Sequence, residues 1–171
     1  WASERLGRSL RLVRMAPDAR RPVPPMFTPV EATTRFTDAF PLLVVAQASL
    51  SALERRLGRA LAMRRFRPNV VVAGAAPHAE DGWKRVRVGE GDAAVVLAFG
   101  KLCSRCQVPA VDPSSGERSR DGEPLSTLAT YRTRELDHGG GHVERGVFFG
   151  ANYVHEGPGT IRVGDPVEVV D

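Results

Sequence analysis

The apolar residues of this chain come in short runs, each cut off by glycine or proline, and that punctuation constrains the fold more than any other feature. Pro41-Leu42-Leu43-Val44-Val45-Ala46 is continuously apolar and suits a strand buried on both faces. Val70 to Ala73 is β-branched, Trp83 to Gly89 alternates with Val86 and Val88 inward, and Ala93 to Phe99 is apolar again. The tail repeats the pattern in Val147 to Val154, Thr160 to Val163 and Val167 to Val170, separated by Gly157-Pro158-Gly159 and Gly164-Asp165-Pro166. Ser9 to Met15 also alternates. Helical spacing is confined to a last turn ending at Gly7, to Ser49–Leu57, and to a segment opening at Pro124 with Leu125, Leu128 and Tyr131 on one face. In the middle segment Ser51 and Glu54 have capping-box spacing and Gly58 supplies a stop. Many short strands with two or three short helices define a mainly β, barrel-like domain.

The segments between these runs are expected to be irregular. Ala16 to Pro29 holds five prolines and reads as an extended surface loop. Val108 to Val111 reads as a brief strand and Asp112 to Glu123 as a polar loop, while Arg132 to Gly146 has no periodicity and His138-Gly139-Gly140-Gly141-His142 within it is flexible by composition. The 171 residues are treated as one domain, long enough to bury a core without disulfide staples. The chain opens on Trp1 rather than Met, which reads as a piece of a longer protein.

Two cysteines are too few for a secreted disulfide scaffold, and no apolar run approaches a signal peptide or the roughly 20 residues that span a bilayer, so a cytoplasmic setting is expected. The net charge of +4 favours anionic partners. The basic residues fall in pairs such as Arg20-Arg21 and Arg64-Arg65, and aromatics are only 6%, which argues against nucleic acid.

Both cysteines lie in Lys101-Leu102-Cys103-Ser104-Arg105-Cys106, at the expected end of a strand. A thiol ligates or attacks only as thiolate, and flanking cations favour that form. The pair is compatible with a disulfide, a redox couple, half a zinc site, or one soft-metal ligand beside a bystander. A finger-type zinc site with His138 and His142 is disfavoured, because the gap after Cys106 is about twice the roughly 12–15 residues of that pattern and the glycines forbid the usual helix. A thioredoxin-type dithiol would open a helix, whereas Pro109 and a β continuation follow. No nucleophile elbow, P-loop or dinucleotide fingerprint occurs. What remains is a thiolate ligand to a soft metal, with Arg67, Arg105 and Ser104 available to an anionic cofactor. Arg67 and Asn69 flank Pro68 at the mouth of a strand, where they either satisfy local backbone or bind an anion.

Several motifs recur together in one family: Arg65-Phe66-Arg67-Pro68-Asn69-Val70, Cys103-Ser104-Arg105-Cys106 running to Val111-Asp112-Pro113, Glu123-Pro124-Leu125 with Tyr131-Arg132, Phe148-Phe149-Gly150, and Pro158-Gly159-Thr160-Ile161 before Val163-Gly164-Asp165. Over nearly its whole length the sequence resembles a MOSC domain, the C-terminal domain of molybdenum-cofactor sulfurases, shared with amidoxime-reducing components. The resemblance implies a MOSC-type β-barrel that binds the pterin-based molybdenum cofactor. It implies Cys106 as the molybdenum ligand and catalytic residue. Ser104, Arg105, Arg67 and Asn69 match positions that hold the pterin and its phosphate, and Asn152 matches a further cofactor-side position. Asp38 and Ala39 would contribute through their backbone, and Cys103 would be a structural bystander.

On the reductase branch, the resemblance implies reduction of N-hydroxylated or similar small substrates with electrons from a partner protein. On the sulfurase branch, it implies a cofactor carrier or sulfur-transfer module, with the persulfide coming from a cysteine desulfurase domain whose lysine motif is not in this sequence. Neither branch implies nucleic acid or membrane as a partner. Family reductases carry a small β-rich domain upstream, and Trp1 falls about where that domain would end.

Overall fold

In a computed structural model, described here for residues 1–170, a single seven-stranded sheet curls into a nearly closed barrel, with three helices of which the second and third pack on it. The strands are β1 (Leu42–Ala46), β2 (Val70–Val72), β3 (Arg85–Val88), β4 (Val95–Ser104), β5 (Thr133–Asp137), β6 (Val143–His155) and β7 (Val167–Val169). The helices are α1 (Ala2–Leu6), α2 (Gln47–Leu57) and α3 (Leu125–Arg132). The sheet runs β2-β1-β6-β4-β3-β7, with β5 hairpinned onto the first half of β6. Only β1 and β2 are parallel, which α2 makes possible as their crossover.

The apolar runs become strands because each can bury alternate residues: in β3, Val86 and Val88 are buried while Arg85 and Arg87 are exposed. One core holds Val44, Leu97, Phe148 and Tyr153. A second lies under α2 and α3, where Leu53 and Leu128 meet Phe66 and Phe149, whose rings are 4.2 Å apart. A third is closed by the proline-rich loop, which lays Val23 and Phe27 against Phe40 and Val154. Burying an apolar side chain such as Val23 contributes about 1.5–3 kcal/mol, so the loop that supplies Val23 and Phe27 belongs to the fold although it has no regular structure.

Two glycines set where the barrel bends. Gly100 sits at a register shift between Phe99 and Lys101, and a Cβ there would lie 2.1 Å from the Phe40 ring. Gly150 marks a second shift, with φ 77° and Val45 Cγ2 only 2.7 Å from where a Cβ would stand. Such irregularities re-aim the side chains that follow. Here they leave Leu43, Asn152 and Lys101 in one row across β1, β6 and β4.

Five expectations are corrected. Ser9 to Met15 forms no strand, because no partner reaches it and Leu12 is fully exposed; Ser3 Oγ instead bonds both backbone groups of Leu10. Thr160 to Val163 is likewise irregular, with Val163 unburied. Val108–Ala110 is a 3₁₀ turn, with a single bridge from Val111 to Arg118. Ser51 and Glu54 form no capping box: α2 starts at Gln47, straight from β1 and two residues before the expected Ser49, and Glu54 Oε1 accepts the Leu61 N–H at 2.8 Å. Arg132 to Gly146, expected to be aperiodic, is mostly the β5–β6 hairpin, closed by the His138 N–H donating to the His142 carbonyl at 2.9 Å. Its strands are exposed on most sides, so charged residues occupy both faces and no apolar alternation betrays them.

Candidate functional site

The basic turn before β2 and the cysteine stretch after β4 are far apart in sequence and stitched together in space. Arg105 Nη2 donates to the Phe66 carbonyl at 2.9 Å, immediately before Arg67-Pro68-Asn69, and its guanidinium lies 5.4 Å from the Phe66 ring centroid. Arg65 makes the second stitch, to Asp112 Oδ2 at 2.6 Å and the Pro109 carbonyl at 3.2 Å. Asp112 is held below the usual carboxylate range, chiefly by the Ser114 backbone N–H. Arg65 and Asp112 organise the site, and the sequence shows only a basic turn and a polar loop where they stand.

Arg67 is exposed and held at φ 56°, a left-handed conformation that few non-glycine residues adopt. Its side chain makes no hydrogen bond or ion pair among the described residues. Asn69 latches β2 to β1: its N–H donates to the Leu43 carbonyl at 2.9 Å, and its Oδ1 accepts the Leu43 N–H at 2.8 Å. The same Leu43 lies opposite Asn152 on β6, and Asn152 lies opposite Lys101 on β4. Asp38 and Ala39 precede Phe40, the ring packed on Gly100; the Asp38 side chain is exposed, and its carbonyl accepts the Arg21 guanidinium. The Arg-Pro-Asn turn, the cysteine stretch and Asn152 are therefore linked around the second half of β4, whereas Asp38 reaches it only through Phe40 on Gly100.

The two cysteines have different surroundings, and both are free thiols. Cys103 is in β4, packs toward the core under the helices, and receives Arg105 Nη1 at 3.0 Å. Cys106 lies beyond the strand, exposed and without a partner. Arg105 Nε is buried and unpaired. A free soft donor beside guanidinium groups with unspent hydrogen bonds is the donor set that a thiophilic metal carrying an anionic organic group requires.

Ser104 opens onto a network that no local pattern announces. Its hydroxyl donates to Glu144 Oε1 at 2.5 Å, and Glu144 Oε2 receives Lys101 Nζ at 2.6 Å and meets His138 Nε2 at 3.0 Å. Desolvation raises the Glu144 pKa, but the bonds from Lys101, Ser104 and His138 outweigh it and hold the carboxyl below its ordinary value. Phe27 caps the network, its ring 5.0 Å from Lys101 Nζ and 4.9 Å from the His138 ring. The register of β6 against β5 and β4 brings these residues together, so no local spacing could have found them.

The mainly β barrel thus carries one exposed free thiol, Cys106, just beyond the end of β4 and next in sequence to Arg105. The chain belongs to the MOSC domain family, which matches residues 31–168. It is 38% identical to mitochondrial amidoxime-reducing component 1 of Mus musculus over 98% of this chain and 48% of that protein. It is 38% identical to the Homo sapiens protein of the same name over 92% of this chain and 46% of that one. It is also 32% identical to a molybdenum cofactor sulfurase of Oryza sativa subsp. japonica, over 79% of this chain and 18% of that protein. The chain thus spans about half the length of the amidoxime-reducing components it matches. No helix among the described residues is long and apolar enough to cross a membrane.

Proposed function

We propose that this chain is the molybdenum-cofactor-binding domain of an oxidoreductase that reduces N-hydroxylated or similar small substrates. The observation that carries the reading is the exposed, unpartnered Cys106 thiol beside Arg105, whose buried Nε has no partner, stitched to the turn that presents Arg67. These groups fit the cofactor: a thiolate suits the metal, and the guanidinium groups suit its phosphate. Cys106 would ligate the metal, Arg67 and Arg105 would hold the anionic end, and Asn69, Ser104 and Asn152 would border the pterin. Asp38 and Ala39 would approach it through their backbone.

The bound group supplies two-electron redox chemistry that breaks an N–O bond; the protein ligates, orients and neutralises charge. Electrons would come from a donor protein. A cytoplasmic setting is retained from the free cysteines, against relatives whose names place them in mitochondria. Nucleic acid and membrane are not proposed as partners, since the basic residues fall in scattered pairs and some, such as Arg65 with Asp112 and Arg85 with Glu156, are matched to carboxylates.

The second reading is a sulfur-transfer module served by a cysteine desulfurase, favoured by the exposure of Cys106, which leaves its thiol free to relay sulfur. Molybdenum and pterin content of the full-length protein, wild type and Cys106→Ala, tests both. Near-stoichiometric molybdenum lost in the variant, with amidoxime reduction by the wild type, is the expected result. Pterin retained in Cys106→Ala, with no reduction by the loaded wild type, would transfer support to the sulfurase reading.

A further inference from the structure

We propose that Cys103 is a positioning residue of this site: its sulfur pins the Arg105 guanidinium, and through it the turn that carries Arg67, for the anionic end of a bound group. This role rests on the cofactor-binding reading above and holds for its reductase and sulfur-transfer forms alike. Few cations are free to take an anion here. Lys101 is spent on Glu144 and faces a separate cavity of about 300 Å³ between β4 and β5. Arg65 is spent on Asp112 and the Pro109 carbonyl, and Arg64 reaches the Ser114 hydroxyl. Along the basic turn and the cysteine stretch, Arg67 and Arg105 remain. Exposed Arg67 has no bond among the described residues to fix its head, so the placement of Arg105 decides how well the pair is prepared.

Arg105 is held at both ends. Its backbone N–H donates to the Val147 carbonyl on β6 at 2.8 Å. At the tip, Nη2 donates to the Phe66 carbonyl at 2.9 Å and Nη1 donates to Cys103 Sγ at 3.0 Å. A guanidinium is planar, so two bonds on different nitrogens, with the Phe66 ring centroid 5.4 Å from Cζ, set the direction of every N–H that is left. One of these, on Nε, is buried and unpaired. A buried donor without an acceptor costs stability, and an orphan held in a fixed place marks where a ligand's acceptor belongs.

Cys103 is more than the bystander that the family resemblance implies. Half-buried in β4, it packs against the core under the helices, which fixes the sulfur in space. Its thiol proton is directed at the Ser104 carbonyl, 3.8 Å from Sγ, and this leaves the sulfur lone pairs to the guanidinium. The role therefore needs an acceptor and no change of charge on the thiol. A valine would fill nearly the same space and accept nothing, while a serine would keep the acceptor on a shorter arm. Loss of the sulfur frees Nη1 and lets the guanidinium turn. That loosens the bond to the Phe66 carbonyl, immediately before Arg67, whose φ of 56° persists only where its surroundings enforce it. The two thiols of the motif thus divide the work: Cys106 stands open, and Cys103 is turned inward to hold the cation.

The test uses the full-length protein with ¹⁵N-labelled arginine, and no step of it needs turnover. The Arg105 side chain, assigned by its loss from the spectrum of Arg105→Lys, should give separate, slowly exchanging Nη–H signals in the wild type, and these should merge in Cys103→Val. Pterin retention is then followed by fluorescence during dialysis against rising NaCl. Cys103→Val should release pterin about tenfold faster than the wild type and Cys103→Ser about threefold faster, each with a Tm within about 2 °C of wild type. Separate Arg105 signals persisting in Cys103→Val, or wild-type retention by that variant, would overturn the proposal. So would equal losses in both variants with a fallen Tm, which is the mark of a residue that only fills the core. A wild type that holds no pterin removes the cofactor reading instead, and the merging or persistence of the Arg105 signals still decides whether Cys103 pins the guanidinium.

Discussion

The barrel carries two polar networks of similar composition and opposite character. Beneath the helices, Arg132 is almost wholly buried and binds both oxygens of Asp81, at 3.0 and 2.7 Å, and the Phe148 carbonyl at 2.9 Å. Next to it the fully buried Glu80 takes the Ser49 hydroxyl, and its backbone carbonyl receives the Tyr153 hydroxyl. Arg132 and Glu80 spend these bonds on the protein itself. At the other network, Lys101, Glu144 and His138 stand beside a cavity, and the chain continues from it to an exposed thiol. The first arrangement fixes the packing of α3 on β6; the second has capacity left for a ligand. Burial of charge alone does not mark function, and unspent hydrogen-bonding capacity next to open volume is the better signal.

Removing one member of the closed network should give the largest effect. Arg132→Met strands the Asp81 carboxylate, with only Arg134 at 3.1 Å to share it, and leaves the Phe148 carbonyl without its donor. The expected cost is about 3–5 kcal/mol, a fall in Tm of roughly 10 °C for a domain of this length. Urea and thermal melts would measure it. A loss below about 1 kcal/mol would mean that the network beneath the helices does not fix the packing of α3 on β6.

The same region should also set the response to acid. Burial, then Arg132, pushes the His78 pKa down to about 4, and both its ring nitrogens are buried without partners. Between about 6.5 and about 4 the unfolded chain therefore binds a proton that the folded chain does not, so stability falls as pH is lowered through that window. Because the ring is only half-buried, screening limits the loss to about 1–2 kcal/mol. Glu80 acts oppositely: desolvation raises its pKa, so the folded state protonates first and gains relative stability on acidification above the ordinary carboxylate range. His78→Phe should flatten the fall seen in urea midpoints from pH 6.5 to 4; an unchanged slope would assign it to other groups.

How far the sequence foretold each network follows from the range of the interactions that build it. Strands such as Arg85–Val88 and Leu42–Ala46, and the helix face of Leu125, Leu128 and Tyr131, were legible because burial imposes a period within a few residues. The cysteine and Arg-Pro-Asn motifs were legible as local clusters and by family resemblance. Glu144 was not, since its partners Lys101 and Ser104 lie some forty positions away and meet it only through strand register. Pro77 to Gly82 has no apolar period to announce it, yet it delivers Glu80 into the interior and Asp81 to Arg132. Expected strands at Ser9 to Met15 and Thr160 to Val163 failed because alternation supplies a face and not a partner.

Within the β5–β6 hairpin the contrast narrows to two adjacent residues of β6. Glu144 is 18% exposed and serves Lys101, Ser104 and His138, whereas Arg145 is 77% exposed and pairs only with Glu135. Glu144→Gln should cost about 1–2 kcal/mol, because it leaves the half-buried Lys101 ammonium with a neutral partner. That contribution is present above the ordinary carboxylate pKa, since the folded value is depressed, and it is lost as pH falls below it. Arg145→Ala should change stability by less than about 0.5 kcal/mol, since an exposed pair gains little Coulomb energy in water and gives up side-chain entropy to hold its geometry. Urea midpoints of the two variants, measured at pH 7 and again at pH 3.5, would separate them: the Glu144→Gln deficit should shrink on acidification, while Arg145→Ala stays near wild type at pH 7. Equal effects at neutral pH would mean that the hairpin is held by its strand pairing alone and that Glu144 does not organise the polar wall of the cavity.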